Sequence, residues 1–281
     1  MTTLILKTVD DYIKLKSVKS DVRLHYGDHI EQFGDLYLPE NTDGRIDKPS
    51  PVIVLLHGGC WRAAHSLLQL GGLCQSLTDL GYAVWNLEYR RLGNGGGWPT
   101  TFTDVAKGTD FLKTIAEEYT LDLTKIITMG HSAGGHLALW LAARSILSID
   151  SELYTPNALN ISAVVSLAGI PDLERGVEQN ICRGACEELM GGLAADYPER
   201  YTQGSPHHIS LGGIPQIHLL GELDPIVPVD YLQASLEQQQ DPYTLQIIPD
   251  IGHFEMVMPD TVSWPYIKRS LEILNEKSIE Q

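Results

Sequence analysis

No stretch of this chain approaches the roughly 18 uninterrupted apolar residues that a membrane span needs. The opening residues Met1 to Lys7 lack a basic segment followed by an apolar core, so no secretory signal is expected. Positive charge is scarce: 20 Lys and Arg stand against 36 Asp and Glu, a net charge of −16. Nucleic-acid binding rests on Lys and Arg neutralising phosphates, and anionic membrane surfaces repel an acidic protein. Neither a nucleic-acid nor a membrane partner is therefore expected. Cysteine is also rare, with Cys60, Cys74, Cys182 and Cys186 forming no C-x-x-C pair. The spacing of Cys182 and Cys186 would put both on one helix face, where a metal or a disulfide is the minor alternative. The main expectation is reduced thiols in a cytoplasmic protein. No H-E-x-x-H or similar metal spacing occurs. The glycine run Gly93 to Gly97 lacks the Gly-Lys-Ser/Thr of a phosphate loop and leads into Trp98-Pro99 rather than opening a helix. No metal and no cofactor is implied.

What is present is an ordinary globular composition, 43% hydrophobic and 20% charged, able to bury a full core. Short apolar runs alternate with helical patterns. Extended segments are expected from Val22 to Leu38, Pro51 to Leu56, Tyr82 to Leu87, Ile126 to Met129, Ala163 to Leu167, Gln216 to Leu220 and Leu245 to Ile248. Helices are expected over Leu67–Leu80, Phe102–Glu118, Asp230–Gln239 and Val262–Asn275, with an amphipathic one from His136 to Arg144. Near-continuous apolar strands imply a mostly parallel sheet covered on both faces, and the β-then-α order implies a doubly wound α/β fold. Residues 1–281 read as a single domain, since no repeat or linker-like shift interrupts them. Two stretches are too long for ordinary connections: Arg90 to Thr101, and Pro171 to Pro215, which is expected to form a small cap over the site.

The most informative run is Gly130-His131-Ser132-Ala133-Gly134, a G-x-S-x-G between an apolar strand and a helix. That context forces Ser132 into a strained, exposed turn at a helix N-terminus, where developing negative charge is favoured. A plain turn whose serine merely caps the helix is the alternative. A serine hydroxyl needs a base, and the base an orienting acid, in the chain order Ser, Asp/Glu, His, each after a strand. Asp224 follows the Gln216–Leu220 strand in Gly221-Glu222-Leu223-Asp224-Pro225, and His253 follows the last strand in Pro249-Asp250-Ile251-Gly252-His253. Asp172, Glu222 and Asp250 are competing acids. His207, His208 and His218 stand in less suitable places, and His57 and His131 precede the serine. The oxyanion of acyl transfer needs aimed N–H donors. Ala133 supplies one, and the loop His57-Gly58-Gly59-Cys60-Trp61 presents Gly59 and Cys60 as the others, with His57 bracing it.

Together, His57-Gly58-Gly59-Cys60-Trp61, Gly130-His131-Ser132-Ala133-Gly134-Gly135-His136-Leu137-Ala138, Gly221–Pro228 and Gly252-His253 resemble the α/β-hydrolase superfamily over nearly the whole chain. Within it, the two first motifs are similar to kynurenine formamidases (arylformamidases) and to small carboxylesterases. The resemblance implies an α/β-hydrolase fold with Ser132, Asp224 and His253 as a triad. Cys60 stands where formamidases often carry tyrosine, and Gly135 where alanine is frequent. The expected activity is a serine hydrolase on a small-molecule ester or N-formyl amide, arylformamidase first. The alternatives are a carboxylesterase or feruloyl-type esterase, a short-peptide peptidase, or a non-catalytic binding module. Trp61 and Trp98 are expected to line an apolar slot for the substrate, or else to pack in the core. A homodimer is compatible with the sequence.

Overall fold

The apolar runs bounded by Pro, Gly and charged residues become eight strands of one sheet in a computed structural model, which describes residues 5–40, 48–239 and 241–277. They are β1 (Val22–His25), β2 (Phe33–Tyr37), β3 (Ser50–Leu56), β4 (Ala83–Leu87), β5 (Leu121–His131), β6 (Ala163–Leu167), β7 (Gln216–Gly221) and β8 (Thr244–Ile248). Their order across the sheet is β1-β2-β4-β3-β5-β6-β7-β8. β1 and β2 are antiparallel at one edge, and every pairing from β4 to β8 is parallel. Strands β4, β6 and β7 are buried along their whole length. That is what a parallel sheet between two helical layers requires of its Val, Ile and Leu residues. β5 begins five residues earlier than Ile126, where the sequence pattern starts it. Its polar opening, Asp122 to Lys125, is accommodated by a register shift opposite Pro51 and Val52, so exposed Thr124 and Lys125 interrupt the apolar signal.

Helices α1 (Val9–Ile13), α2 (Gly71–Thr78), α3 (Thr100–Asp110), α4 (Leu112–Ile115), α5 (Ala133–Ala143), α6 (Leu173–Glu178), α7 (Ala185–Met190), α8 (Pro198–Gly204), α9 (Val229–Glu237) and α10 (Trp264–Lys277) complete the fold. The single helix expected over Phe102–Glu118 is divided at Phe111 into α3 and α4. α5 departs from expectation in a more useful way. It is not amphipathic: every residue from Ala133 to Ala143 is buried, as befits a helix that is apolar all round. One side lies on β5 and β6, and the other is covered by the segment 171–215. There the His136 Nε2 donates to the Gly204 carbonyl at 2.8 Å and the Trp140 indole N–H to the Gln203 carbonyl at 2.9 Å.

The chain leaves β3 for β4 on one side and returns to β5 on the other. The loops after β3 and β5 therefore part at the carboxyl ends of the strands, the place where ligands of open α/β sheets bind. The loops after β7 and β8 open toward the same end of the sheet.

Candidate active site

The turn from β5 to α5 places Ser132 at φ 55° and ψ −121°. A non-glycine residue in such a region costs on the order of 1–3 kcal/mol and persists only when its surroundings hold it. They do so here: Ser132 N–H donates to the Leu167 carbonyl at 2.8 Å, and the Ser132 carbonyl accepts from His136 N–H at 3.2 Å. The flanking glycines are required by close approach. A Cβ on Gly130 would lie 2.1 Å from the Gly134 oxygen, and one on Gly134 2.1 Å from the Leu56 oxygen.

Asp224 stands in the turn after β7 and His253 in the loop after β8. The His253 Nδ1 lies 2.7 Å from the Asp224 Oδ2, with both side chains buried. The other oxygen of Asp224 accepts from the N–H groups of Ile226 and Val227, each at 2.8 Å, so the Pro-flanked turn fixes the carboxylate. Competing groups are engaged elsewhere. Glu222 and Asp250 are exposed. Asp172 caps α6 by accepting from Arg175 N–H at 3.0 Å. His207 binds the Ser235 carbonyl at 2.9 Å, and His208 pairs with Glu174 at 2.8 Å. His218, inside β7, is pushed down to about 3 by burial.

His131, the residue before the serine, has a part that the sequence did not assign. Its Nε2 donates to the His253 carbonyl at 3.0 Å, and the two rings lie 4.5 Å apart. Burial holds His131 well below the usual histidine range, so the ring is neutral with its proton on the nitrogen facing that carbonyl. This contact brings the His253 loop against the serine turn. Tyr12 of α1 closes the rear of the same loop, its ring 5.6 Å from Phe254 and 6.4 Å from His131.

Over the serine lies the loop after β3. A Cβ on Gly58 would come within 3.1 Å of the Ser132 Cβ and 2.8 Å of the His131 oxygen. Gly59 (φ 105°), Cys60 (φ 53°) and Trp61 (φ 53°) follow in left-handed conformations. Ala133, at the start of α5, has no i−4 carbonyl for its N–H. Behind the loop is a buried polar network. His57 Nε2 meets Glu88 Oε1 at 2.8 Å, His57 Nδ1 meets the Gly58 carbonyl at 2.8 Å, and Tyr89 O–H donates to the His57 carbonyl at 2.7 Å. Glu88 also receives Arg91 at 3.0 Å and the N–H groups of Tyr89 at 3.0 Å and Leu67 at 3.2 Å. Burial drives its carboxyl upward, but His57, Arg91 and these hydrogen bonds outweigh that and hold it below the ordinary range. Neither Glu88 nor Arg91 was singled out by sequence reasoning. The available signal was a run of charge, Glu88-Tyr89-Arg90-Arg91, directly after a fully apolar strand.

Two expectations need correcting. Trp61 has no exposed surface; it packs edge-on against His136 at 5.3 Å, within an aromatic cluster that includes Phe102 and Trp140. Trp98 packs on Phe102 at 5.2 Å and donates its indole N–H to Glu152 at 2.5 Å. Trp61 is thus a core residue with no face for a substrate, and half-buried Trp98 packs the 93–101 loop on Phe102. The cysteines are not all reduced. Cys60 and Cys182 form a disulfide, and only Cys74 and Cys186 are free. Cys182 precedes α7, so it does not share a helix face with Cys186. Disulfides are rare in the reducing cytosol, which removes the argument from cysteine usage for a cytoplasmic location.

Among the described residues no helix is long and apolar enough to cross a membrane. Nor does any group of His, Cys, Asp and Glu among them have an arrangement suited to a metal ion. In solved structures the fold recurs in a truncated carbohydrate esterase from gut microbiota, with TM-score 0.75, 20% identity and 95% and 98% of the two chains covered. It recurs also in esterase B of Lactobacillus rhamnosis, with TM-score 0.78, 21% identity and 97% and 91% covered. This is the α/β-hydrolase fold. Among curated sequences, Esterase LipC of Mycobacterium tuberculosis is 24% identical over 82% of this chain and 59% of its own length. A probable isoprenylcysteine alpha-carbonyl methylesterase of Arabidopsis thaliana, ICMEL1, is 27% identical over 72% of this chain and 41% of its own. The chain thus spans roughly half the length of these curated relatives. The BD-FAE family profile matches residues 34–238, which hold the Gly58 loop, the serine turn and Asp224. The chain belongs to the BD-FAE family of α/β-hydrolase esterases.

Proposed function

We propose that this chain is a serine esterase that hydrolyses a small carboxylic ester through an acyl-enzyme at Ser132. The observation that carries the reading is the buried 2.7 Å contact between His253 and Asp224, on a loop that His131 ties to the serine turn. Asp224 orients the imidazole and stabilises its cationic form. His253 takes the proton as the Ser132 Oγ bonds to the ester carbon. The carbonyl oxygen, now negative, is met by the N–H groups of Ala133, Gly59 and Cys60. On collapse, the alkoxide leaves with the proton from His253. Water, deprotonated by the same ring, then attacks the acyl carbon, and the acid and the serine hydroxyl are released.

The named relatives support an ester as substrate; none is an arylformamidase. The N-formyl amide remains a second reading on the strength of the His57–Trp61 and Gly130–Ala138 motifs alone. A fluorophosphonate probe followed by peptide mass spectrometry should label Ser132, and not after His253→Ala. A folded protein that takes no label overturns the proposal. Parallel kcat/KM values for p-nitrophenyl acetate and butyrate, a feruloyl ester and N-formylkynurenine then decide the acyl group. A preference for the formyl amide replaces the ester reading.

A further inference from the structure

Cys60 and Cys182 are 122 residues apart in the chain, yet their Cα atoms lie 5.5 Å apart and their sulfurs are bonded. One end is in the loop above Ser132. The other lies between α6 and α7, in the segment that covers α5. The disulfide therefore ties the loop over the serine to the segment that covers the serine-bearing helix. A second link spans the same junction, a bidentate pair between Arg62 and Glu188 at 2.8 and 2.9 Å. Its side chains are 38% and 51% exposed, and pairs so accessible to water hold little. The covalent link is the stronger constraint.

At both ends the backbone is left-handed: Cys60 at φ 53° and Trp61 at φ 53°, then Cys182 at φ 59° and Arg183 at φ 53°. Residues with a Cβ stay in this region only where the surroundings compel them. Backbone hydrogen bonds supply part of that hold, from Leu92 N–H to the Trp61 carbonyl at 2.7 Å and from Arg62 N–H to Gly59 at 3.0 Å. No backbone bond of this kind reaches from the loop to the cover at Cys60 among those described; the sulfurs do.

We infer that Cys182 is a positioning residue: through its bond to Cys60 it fixes the oxyanion loop against the cover, making the oxidised chain the more active form. This rests on the reading of the Cys60 N–H as an oxyanion donor. Reduction by a dithiol is the corresponding switch. One reagent thiolate attacks a sulfur of the pair, and the displaced cysteine takes up a proton. The second reagent thiol then displaces the remaining cysteine, leaving two protein thiols and a cyclic disulfide. Cys182 is 9% exposed and Cys60 only partly buried, which makes this pair the more open of the four cysteines to a small dithiol. Cys74 and Cys186 are fully enclosed, and burial pushes their thiols up, that of Cys186 to about 12. They are poor thiolates and poor competitors for the exchange.

The test uses the whole chain oxidised, reduced with dithiothreitol under nitrogen, and reoxidised, with Tm and thiol count measured on each sample. Alkylation in denaturant should find the free Cys74 and Cys186 alone before reduction, and Cys60 and Cys182 as well afterwards. On p-nitrophenyl acetate, kcat should fall about tenfold on reduction, a fraction of the roughly 10²–10³-fold lost when a donor is removed outright. KM should stay within about twofold, because the donor acts mainly on the transition state, and reoxidation should restore kcat. Cys182→Ser should show the same loss and no response to the dithiol. Cys60→Ser keeps the backbone N–H and should match it, with the double variant no worse than either. If Cys182→Ser fails to fold, the wild-type reduction series decides alone. Thiols at all four cysteines before reduction, an unchanged kcat in fully reduced protein, or a loss that reoxidation does not reverse would each overturn the inference. Failure of Ser132 labelling in the oxidised protein would instead count against the esterase reading.

Discussion

Replacing Glu88 by Gln changes one atom and one charge beneath the loop over Ser132, and the geometry sets the cost. Glu88 Oε1 collects His57 at 2.8 Å, Tyr89 N–H at 3.0 Å and Arg91 at 3.0 Å, while Oε2 accepts Leu67 N–H at 3.2 Å. An amide keeps one acceptor. With its oxygen toward His57, its NH₂ faces the Leu67 N–H, leaving that donor buried and unpaired, a loss of about 1–3 kcal/mol. The charge opposite His57 and Arg91 also disappears. Breaking a buried pair costs about 3–5 kcal/mol, but Arg91 retains Glu31 and the His65 carbonyl as partners. A net loss of about 3 kcal/mol is expected. At about 2.1 cal/mol/K per residue, a chain of this length unfolds with an entropy near 0.6 kcal/mol/K, so Tm should drop by about 5 °C.

The pH dependence has a definite sign. The Glu88 carboxyl is held below its ordinary range in the folded chain. Its contribution is therefore complete above the unfolded carboxyl value, near about 4.3, and is lost as pH falls through the lower folded value. The Tm gap between wild type and Glu88→Gln should be full at pH 7 and narrow below about pH 4, where a protonated carboxyl and an amide are nearly isosteric. Scanning calorimetry at fixed rate across that range checks it. A gap under about 1 °C at pH 7 (about 0.6 kcal/mol by the same conversion), or one that does not close on acidification, refutes the reasoning.

Other substitutions probe the remaining parts. Asp224→Asn keeps the shape of the side chain but loses the charge that orients His253; kcat on p-nitrophenyl acetate should fall on the order of 10³–10⁴-fold with KM little changed. His131→Ala removes the donor to the His253 carbonyl and should lower kcat about tenfold, while His131→Gln, which keeps an N–H there, should recover part of it. Equal kinetics in the two variants would deny His131 its positioning role. Trp61→Ala should cost about 3–5 kcal/mol in denaturant unfolding, as emptying a core aromatic site does. A large rise in KM at unchanged stability would restore Trp61 to a substrate slot.

Features carried by neighbouring residues were legible in the sequence. The serine turn, its glycines and the strand–helix context lie within a few positions, so Ser132 and the parallel sheet could be read directly. Asp224 and His253 followed from chain order, because each sits just past a strand of apolar residues. What escaped depended on pairs far apart in the chain. Glu88 meets His57 across 31 residues, and His131 meets His253 across 122. Spacing alone paired Cys182 with Cys186, whereas the fold carries Cys182 to Cys60. The amphipathic reading of α5 failed for a similar reason: its polar-looking residue, His136, is buried with its Nε2 on the Gly204 carbonyl of a distant segment.

That same burial constrains how the cover can move. Burial pushes His136 down to about 4, so at neutral pH the ring is uncharged and its Nε2 proton goes to Gly204. Trp140 spends its one N–H on Gln203. Swinging the whole 171–215 segment away as a lid would break both bonds, separate Arg62 from Glu188 and strain against the Cys60–Cys182 link. Each buried donor left without a partner costs about 1–3 kcal/mol. The cover is thus anchored to the helix that carries Ser132 at one end and to the oxyanion loop at the other. Substitutions at those anchors should therefore loosen the cover against α5 and the Cys60 loop before they disturb the sheet beneath.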